Sequence, residues 1–173
     1  MRILILAFVL AGTFIYVWYL VQMILQRRDK EWSLRMKADN NKAMASLRIP
    51  ALERLAVMLE RITPERMILR LYKGSETAGM LEADIVTALR EEFDHNISLQ
   101  IYVSEACWEA IVTARKETAE LIRIAASRVE PGDDAALLCR EIMTLEAQVG
   151  NSAIKSALKN LRQEIEEQYD WRQ

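Results

Sequence analysis

Glycine, proline and cysteine are scarce in this 173-residue chain, which holds five glycines, three prolines and two cysteines. So few turn-forming residues exclude a β-sandwich or β-barrel, because those folds need a turn after every short strand. Cys107 and Cys139 follow neither a CxxC nor a framework spacing. We therefore predict free thiols in a reducing compartment, with a single structural disulfide between them as the open alternative.

Histidine is almost absent, since His95 is the only one in the sequence. A glutamate and histidine pair without a further convergent ligand does not define a zinc or iron site, so we predict no metal and no cofactor. The sequence also lacks a basic patch interleaved with aromatic residues. We therefore predict no nucleic-acid partner.

One long hydrophobic run is present at the N-terminus. Ile3 to Leu25 contains Gln22 as its only strongly polar residue. At about 1.5 Å per residue, a helix of this length spans roughly 30 Å, the thickness of the hydrocarbon core of a bilayer. No small-x-small cleavage site follows the run, which favours a retained anchor over a removed signal peptide. We predict a transmembrane anchor over residues 1–26, with the lipid bilayer as its partner.

Basic residues flank the run mainly on its C-terminal side, where Arg27, Arg28 and Lys30 follow it, whereas Arg2 alone precedes it. Positively charged flanks stay on the cytoplasmic side of a membrane. The sequence therefore predicts a single-pass protein with its N-terminus outside and its C-terminal domain in the cytoplasm.

The charge divides the chain into two parts. Residues 1–48 contain eight Lys or Arg and three Asp or Glu, a net charge of +5, whereas residues 49–173 contain fifteen and twenty-two, a net charge of −7. We assign residues 27–48 to a basic juxtamembrane helical stalk and residues 49–173 to a cytoplasmic helical domain.

The stalk carries a short coiled-coil pattern. Two heptads with an asparagine at a core position predict a homodimer through the stalk, because a buried asparagine fixes register and dimer state. A solvated, charged stalk with incidental spacing is the alternative. The residues at the 3-4-3-4 spacing are Ser33, Met36, Asn40, Ala43 and Leu47.

Apolar residues recur every three or four positions after residue 49, which predicts an all-α fold: an N-terminal transmembrane helix, a helical stalk and a compact bundle of about five helices. Two segments also alternate as strands do, and for them the choice between helix and strand stays open, with helix favoured for the second. These two segments are Met67 to Leu71 and Ile97 to Val103.

Helix beginnings and ends are indicated by capping residues and breaks. The pattern predicts a helix from Pro50 to Ile62, a short helix capped by Thr63 and opened by Pro64, a helix from about Thr77 to Phe93, a long helix capped by Ser104, and two final helices separated by Gly150.

One polar cluster at the end of the third of these helices could do chemistry. It consists of Glu91, Glu92, His95 and Asn96, of which Glu91 and His95 lie four apart on one helix face. A carboxylate and an imidazole at this spacing are suited to acid and base catalysis if a substrate pocket adjoins them. Structural hydrogen bonds on a polar helix face are the alternative.

Positive charge concentrates on the first two helices of the domain. This surface is a candidate lipid or partner face, because it lies closest in sequence to the membrane. The alternative is neutralisation by the interleaved Glu53, Glu60 and Glu65. The basic residues are Arg54, Arg61, Arg66, Arg70 and Lys73.

Several strings of the domain resemble an uncharacterised family of single-pass membrane proteins from Bacteroidota. The resemblance covers most of the chain and implies a bacterial inner-membrane protein with a cytoplasmic helical domain, but no activity, cofactor or catalytic residue. The strings are Leu52 to Leu55, Leu59 to Pro64, and Glu91 to Asn96 followed by Gln100 to Ser104 and Trp108.

The sequence therefore predicts a membrane-anchored interaction or scaffold protein at the cytoplasmic face, with an unidentified protein partner. Two alternatives stay open. One is an enzyme that uses Glu91 or Glu92 with His95, and the other is a sensor of lipid surfaces that acts through the basic first helices.

Overall fold

The computed structural model describes residues 12, 14, 16, 18–20, 22, 23, 36, 42–150 and 152–168. The chain divides into two units after Ser46. In the first unit the described residues are helical. None of the helices formed by the residues named above is long and apolar enough to cross a membrane. The predicted anchor, Ile3 to Leu25, and the predicted stalk, 27–48, lie mostly outside the described residues and stay predictions.

The second unit, Leu47–Gln173, confirms the predicted all-α class over its described part. Helix α1 covers residues 42–61, of which 47–61 belong to this unit. The helices that follow are α2 (Pro64–Leu71), α3 (Ala78–Asp94), a 3-10 helix (Ile97–Tyr102), α4 (Glu105–Ala126), α5 (Ala135–Val149) and α6 (Ser152–Gln168). Helix α4 packs against α3, α5 and α6, and α5 also packs against α2 and α3.

Both ambiguous segments are helical. Met67 to Leu71 belongs to α2, and Ile97 to Tyr102 forms the 3-10 helix. Only Leu99 of that 3-10 helix is buried, whereas Ile101 is 75 % exposed. Tyr102 and Val103 are half-buried against the core, so the inward-facing residues of this segment do not alternate as those of a strand do.

A short polar side chain begins α4, as the sequence predicts, and another begins α5. The hydroxyl of Ser104 accepts a hydrogen bond from the backbone N–H of Cys107 at 3.2 Å. The Asp134 carboxylate accepts one from the N–H of Ala136 at 2.8 Å. Each side chain satisfies a backbone donor that the helix itself leaves without an acceptor.

Two predicted helix starts differ from the structure. Thr63 makes no cap, because its hydroxyl donates to the carbonyl of Glu60 at 2.9 Å. Pro64 alone opens α2, and it needs no acceptor because it has no N–H. Pro50 does not begin a helix, since residues 42–49 are already helical. The fixed φ of proline fits a helix at the cost of one hydrogen bond, so its position did not mark a start.

The core is built from the predicted apolar stripes of the helices, with two differences. On α4 the buried face includes the small residues Ala114, Thr118 and Ala125, because small side chains allow neighbouring helices to approach closely. Val149, which continues the spacing of Leu138, Ile142 and Leu145 on α5, is 64 % exposed. The largest fully buried side chains are Leu52, Leu55, Met58, Leu59, Ile62, Met67, Leu81, Ile85, Ile111, Ile122, Leu138 and Ile142.

The beginnings of α3 and α5 satisfy each other's backbone groups. The N–H of Ala78 donates to the carbonyl of Asp133 at 2.8 Å, and the N–H of Gly79 donates to that of Pro131 at 3.0 Å. In return, the N–H of Ala135 donates to the carbonyl of Glu76 at 3.2 Å. We call residues 76–79 and 131–135 the clasp. It fixes two helix starts at one end of the bundle.

Candidate functional site

The predicted polar cluster does not converge on one point. Glu91 and His95 are exposed, and among the described residues no side-chain hydrogen bond joins them. Asn96 is only 7 % exposed, and its side-chain amide donates to the backbone carbonyl of Glu92 at 2.7 Å. Asn96 therefore closes the end of α3, which agrees with the structural alternative for this residue.

Glu92 faces the helices that precede α3. Its Oε1 accepts hydrogen bonds from Arg61 Nε at 2.7 Å and from Arg70 Nη1 at 3.1 Å. The Glu92 side chain is 17 % exposed, so water screens these contacts less than it would at an open surface. We call these three residues the Glu92 junction. It connects α1, α2 and α3.

Most of the predicted basic face is paired with acidic side chains. Besides the Glu92 junction, Arg66 lies 3.5 Å from Glu60, and Lys73 Nζ lies 2.8 Å from Asp84. The hydrogen bond from Asp84 raises the pKa of Lys73 above its ordinary value. Arg54 makes no ion pair within the described part of the chain. The acidic partners come largely from α3 rather than from the interleaved glutamates.

The membrane-flanking Arg27, Arg28 and Lys30 lie outside the described residues. Within the residues that the structure does describe, no group of three or more His, Cys, Asp or Glu side chains is arranged to hold a metal ion.

Both cysteines are free thiols. Burial, with a smaller contribution from Glu164, raises the pKa of Cys107 to about 12. Burial also raises the pKa of the half-buried Cys139, where Glu76 adds to the effect. Because the thiolate is the reactive form, both residues are weak nucleophiles at neutral pH.

An apolar cavity of about 390 Å³ opens between α4, α5, α6 and the beginning of α2. We call it the α4–α5–α6 cavity. Its volume falls in the range of roughly 300–1,000 Å³ that is typical of binding pockets. The apolar lining includes Pro64, Leu121, Ile124, Leu145, Val149 and Ile154, and the charged lining residues are Glu117 and Glu120.

A second groove, of about 460 Å³, lies between α1 and α6. Its apolar lining is interrupted by charged residues of both signs, namely Glu53, Glu60, Arg61, Arg66 and Arg162. Glu91, Glu92 and His95 line neither this groove nor the α4–α5–α6 cavity.

The apolar periodicity of the helices did not predict the α4–α5–α6 cavity. One signal was present, because α4 carries apolar residues around more of its circumference than a single buried stripe requires. Leu121 and Ile124 lie beside the buried Ile122 and Ala125, and both are half-buried. These extra apolar positions are the ones that line the cavity.

Comparison with proteins of curated function found no match, and comparison with solved structures found none either. A family described as a family of unknown function, DUF7935, matches residues 1–168. This match agrees with the resemblance to an uncharacterised family and carries no statement about the source organism or about membrane topology. The chain belongs to the DUF7935 family of unknown function.

Proposed function

We propose that this protein is a membrane-anchored interaction module whose helical domain binds a protein partner at the cytoplasmic face of the bacterial inner membrane. The membrane anchor in this proposal is Ile3 to Leu25. The positive charges of Arg27, Arg28 and Lys30 keep the chain that follows it on the cytoplasmic side. A single anchor of this kind confines the domain to the membrane surface and raises its local concentration near membrane partners.

The observation that supports partner binding is the α4–α5–α6 cavity. Leu121 and Ile124 are half-buried at its wall, and Val149 is 64 % exposed. Burial of one large apolar side chain of a partner in such a pocket contributes about 1.5–3 kcal/mol. Large side chains that fill preformed pockets in this way supply much of the binding energy of protein interfaces.

Photocrosslinking in cells tests the partner site. A photoreactive amino acid in place of Leu121 should give a crosslinked species, whereas the same amino acid in place of the exposed Glu109, on α4 but outside the cavity lining, should not. Ala153→Trp fills the cavity and should abolish the Leu121 crosslink. Equal crosslinking from both positions, or a product that persists in the Ala153→Trp variant, would contradict binding at the cavity.

Reporter fusions test the topology. A fluorescent protein fused after Gln173 should fluoresce, because it stays in the cytoplasm, and alkaline phosphatase at the same position should be inactive. The opposite pattern would place the domain on the other side of the membrane and would overturn the proposed orientation.

A further inference from the structure

We infer that the α4–α5–α6 cavity receives a basic amphipathic helix, which places an apolar side chain in the cavity and Lys or Arg side chains against its acidic rim. This inference rests on the proposed function and names the class of partner. It follows from the length of the cavity wall and from the sign of the charges on it.

The length of the wall is set by α4. Residues of this helix line the cavity from Ala114 to Ile124. Ten residues of rise at about 1.5 Å give a wall of roughly 15 Å, or nearly three helical turns. A groove of this length matches the apolar face of a short amphipathic helix, whose anchors recur at i, i+3, i+4 and i+7.

The rim is acidic. Among the described lining residues the charged ones are Glu117 and Glu120, one turn apart on α4. Arg123 is not a lining residue, and it forms an ion pair with Glu120. Glu117 is exposed and makes no ion pair within the described ranges, so its charge is open to a cation from a partner. The domain as a whole carries a net charge of −7 over residues 49–173, which attracts basic and repels acidic partners.

The groove between α1 and α6 does not support the same inference. Its lining combines Glu53 and Glu60 with Arg61, Arg66 and Arg162. Two of these cations and one of these anions are already paired, Arg61 with Glu92 and Arg66 with Glu60. The groove therefore favours neither sign of partner charge.

A peptide-binding experiment on the full chain tests the inference. The protein is placed in nanodiscs of phosphatidylcholine, whose neutral surface does not itself attract a basic peptide. The probe is a fluorescently labelled helix of about four turns, with leucine at the i, i+3, i+4 and i+7 positions and lysine elsewhere. Its matched control has glutamate in place of every lysine. Fluorescence anisotropy should show at least about tenfold tighter binding of the lysine peptide, because the rim is acidic.

Two substitutions on the same helix locate the binding. Glu117→Lys replaces the rim carboxylate that makes no ion pair among the described residues by a cation, and it should weaken binding of the lysine peptide by roughly tenfold. Glu109→Lys makes the same change on exposed α4 surface outside the cavity and should change the affinity by less than about twofold. Ala153→Trp should weaken binding by more than about tenfold if its circular dichroism shows a folded domain. If it does not fold, the two charge variants still decide the outcome.

Three results would overturn the inference. The two peptides could bind equally well, or Glu117→Lys and Glu109→Lys could have equal effects. The third is that the protein binds no peptide but binds an apolar dye, and that Ala153→Trp abolishes the dye binding. The last result would identify a small-molecule pocket. If no peptide binds while the crosslink at position 121 still captures a protein in cells, the class of partner is wrong and the proposed function stands. If no peptide binds and no crosslink forms at position 121, both the inference and the proposed function are wrong.

Discussion

Arg48 and Glu164 are 116 positions apart in the chain, yet Arg48 Nη2 donates to Glu164 Oε2 at 3.0 Å. The same guanidinium donates through Nε to the carbonyl of Tyr102 at 2.8 Å. The other carboxylate oxygen of Glu164 accepts from the N–H of Ser104 at 2.7 Å. The ion pair therefore joins α1 to α6, and its two further hydrogen bonds hold the segment before α4 between them.

Removal of the Glu164 carboxylate should destabilise the domain strongly. Glu164→Ala removes the carboxylate that accepts from Nη2 of the 21 % exposed Arg48 side chain and from the N–H of Ser104, so we expect the free energy of unfolding to fall by about 2–3 kcal/mol. Urea denaturation of the full chain in detergent, followed by circular dichroism, measures the change. Glu109→Ala, on the exposed surface of α4, should change it by less than about 0.5 kcal/mol. Similar losses for the two variants would show that the contact contributes little.

The Glu92 junction should behave as one unit. Glu92→Ala removes the acceptor of Arg61 and Arg70 together, and we expect a loss of about 1–2 kcal/mol, because the carboxylate is largely shielded from water. The exposed neighbour Glu91→Ala serves as the matched control and should lose less than about 0.5 kcal/mol. In double-mutant cycles, adding Arg61→Ala or Arg70→Ala to Glu92→Ala should cost little more. Additive losses would show that the three side chains act independently.

Two glycines of the clasp should respond in opposite ways to the same substitution. A Cβ on Gly79 would lie 3.2 Å from both the Cβ and the carbonyl oxygen of Pro131, and that carbonyl is held by the N–H of Gly79 itself. We therefore expect Gly79→Ala to cost about 1 kcal/mol. Gly132→Ala meets no atom within 4 Å and should be neutral or slightly stabilising. Thermal denaturation compares them, and equal midpoints would contradict the close approach.

The two thiols should react slowly and in a fixed order. Iodoacetamide at pH 8 should modify the half-buried Cys139 before the buried Cys107, whose pKa is about 12. Peptide mass spectrometry over time measures both rates, and urea should accelerate both. Faster modification of Cys107 in the folded protein would contradict its burial.

The raised pKa of Cys107 also predicts the direction of a pH effect on stability. Its ordinary value is 9.0, so in alkaline solution the unfolded chain loses this proton before the folded one does. Stability linked to this thiol is thus complete below pH 9.0 and is lost as the pH rises towards about 12. Cys107→Ala should reduce the alkaline fall in the free energy of unfolding, and an unchanged pH profile would contradict the linkage.

The helices could be predicted because each buries a stripe that repeats every three or four residues, as in Leu81, Ile85 and Leu89 of α3. The cap at Ser104 could also be predicted, since its hydrogen bond reaches only three residues along the chain. Thr63 shows the limit of such local rules, because its hydroxyl can also donate to the preceding turn.

The Glu92 junction and the α4–α5–α6 cavity were less predictable, because they depend on contacts between residues that are distant in sequence. Glu92 could be assigned to a polar face, but its contacts with Arg61 and Arg70 follow from how α1 and α2 dock on α3. The α4–α5–α6 cavity depends on the spacing of packed helices, which periodicity does not contain. Val149 continues the spacing of Leu138, Ile142 and Leu145 along α5, yet it is 64 % exposed, so the spacing alone does not show where burial ends.

The clasp has an electrostatic consequence. Because Thr77 and Asp134 precede α3 and α5 and are paired across it, the positive poles of two helix dipoles lie side by side. Each pole is equivalent to about half an elementary charge, and like poles repel at close range. The carboxylates of Glu76, Asp133 and Asp134 lie at the same end and offset that repulsion, so these acidic residues act as built-in counterions for the two helices.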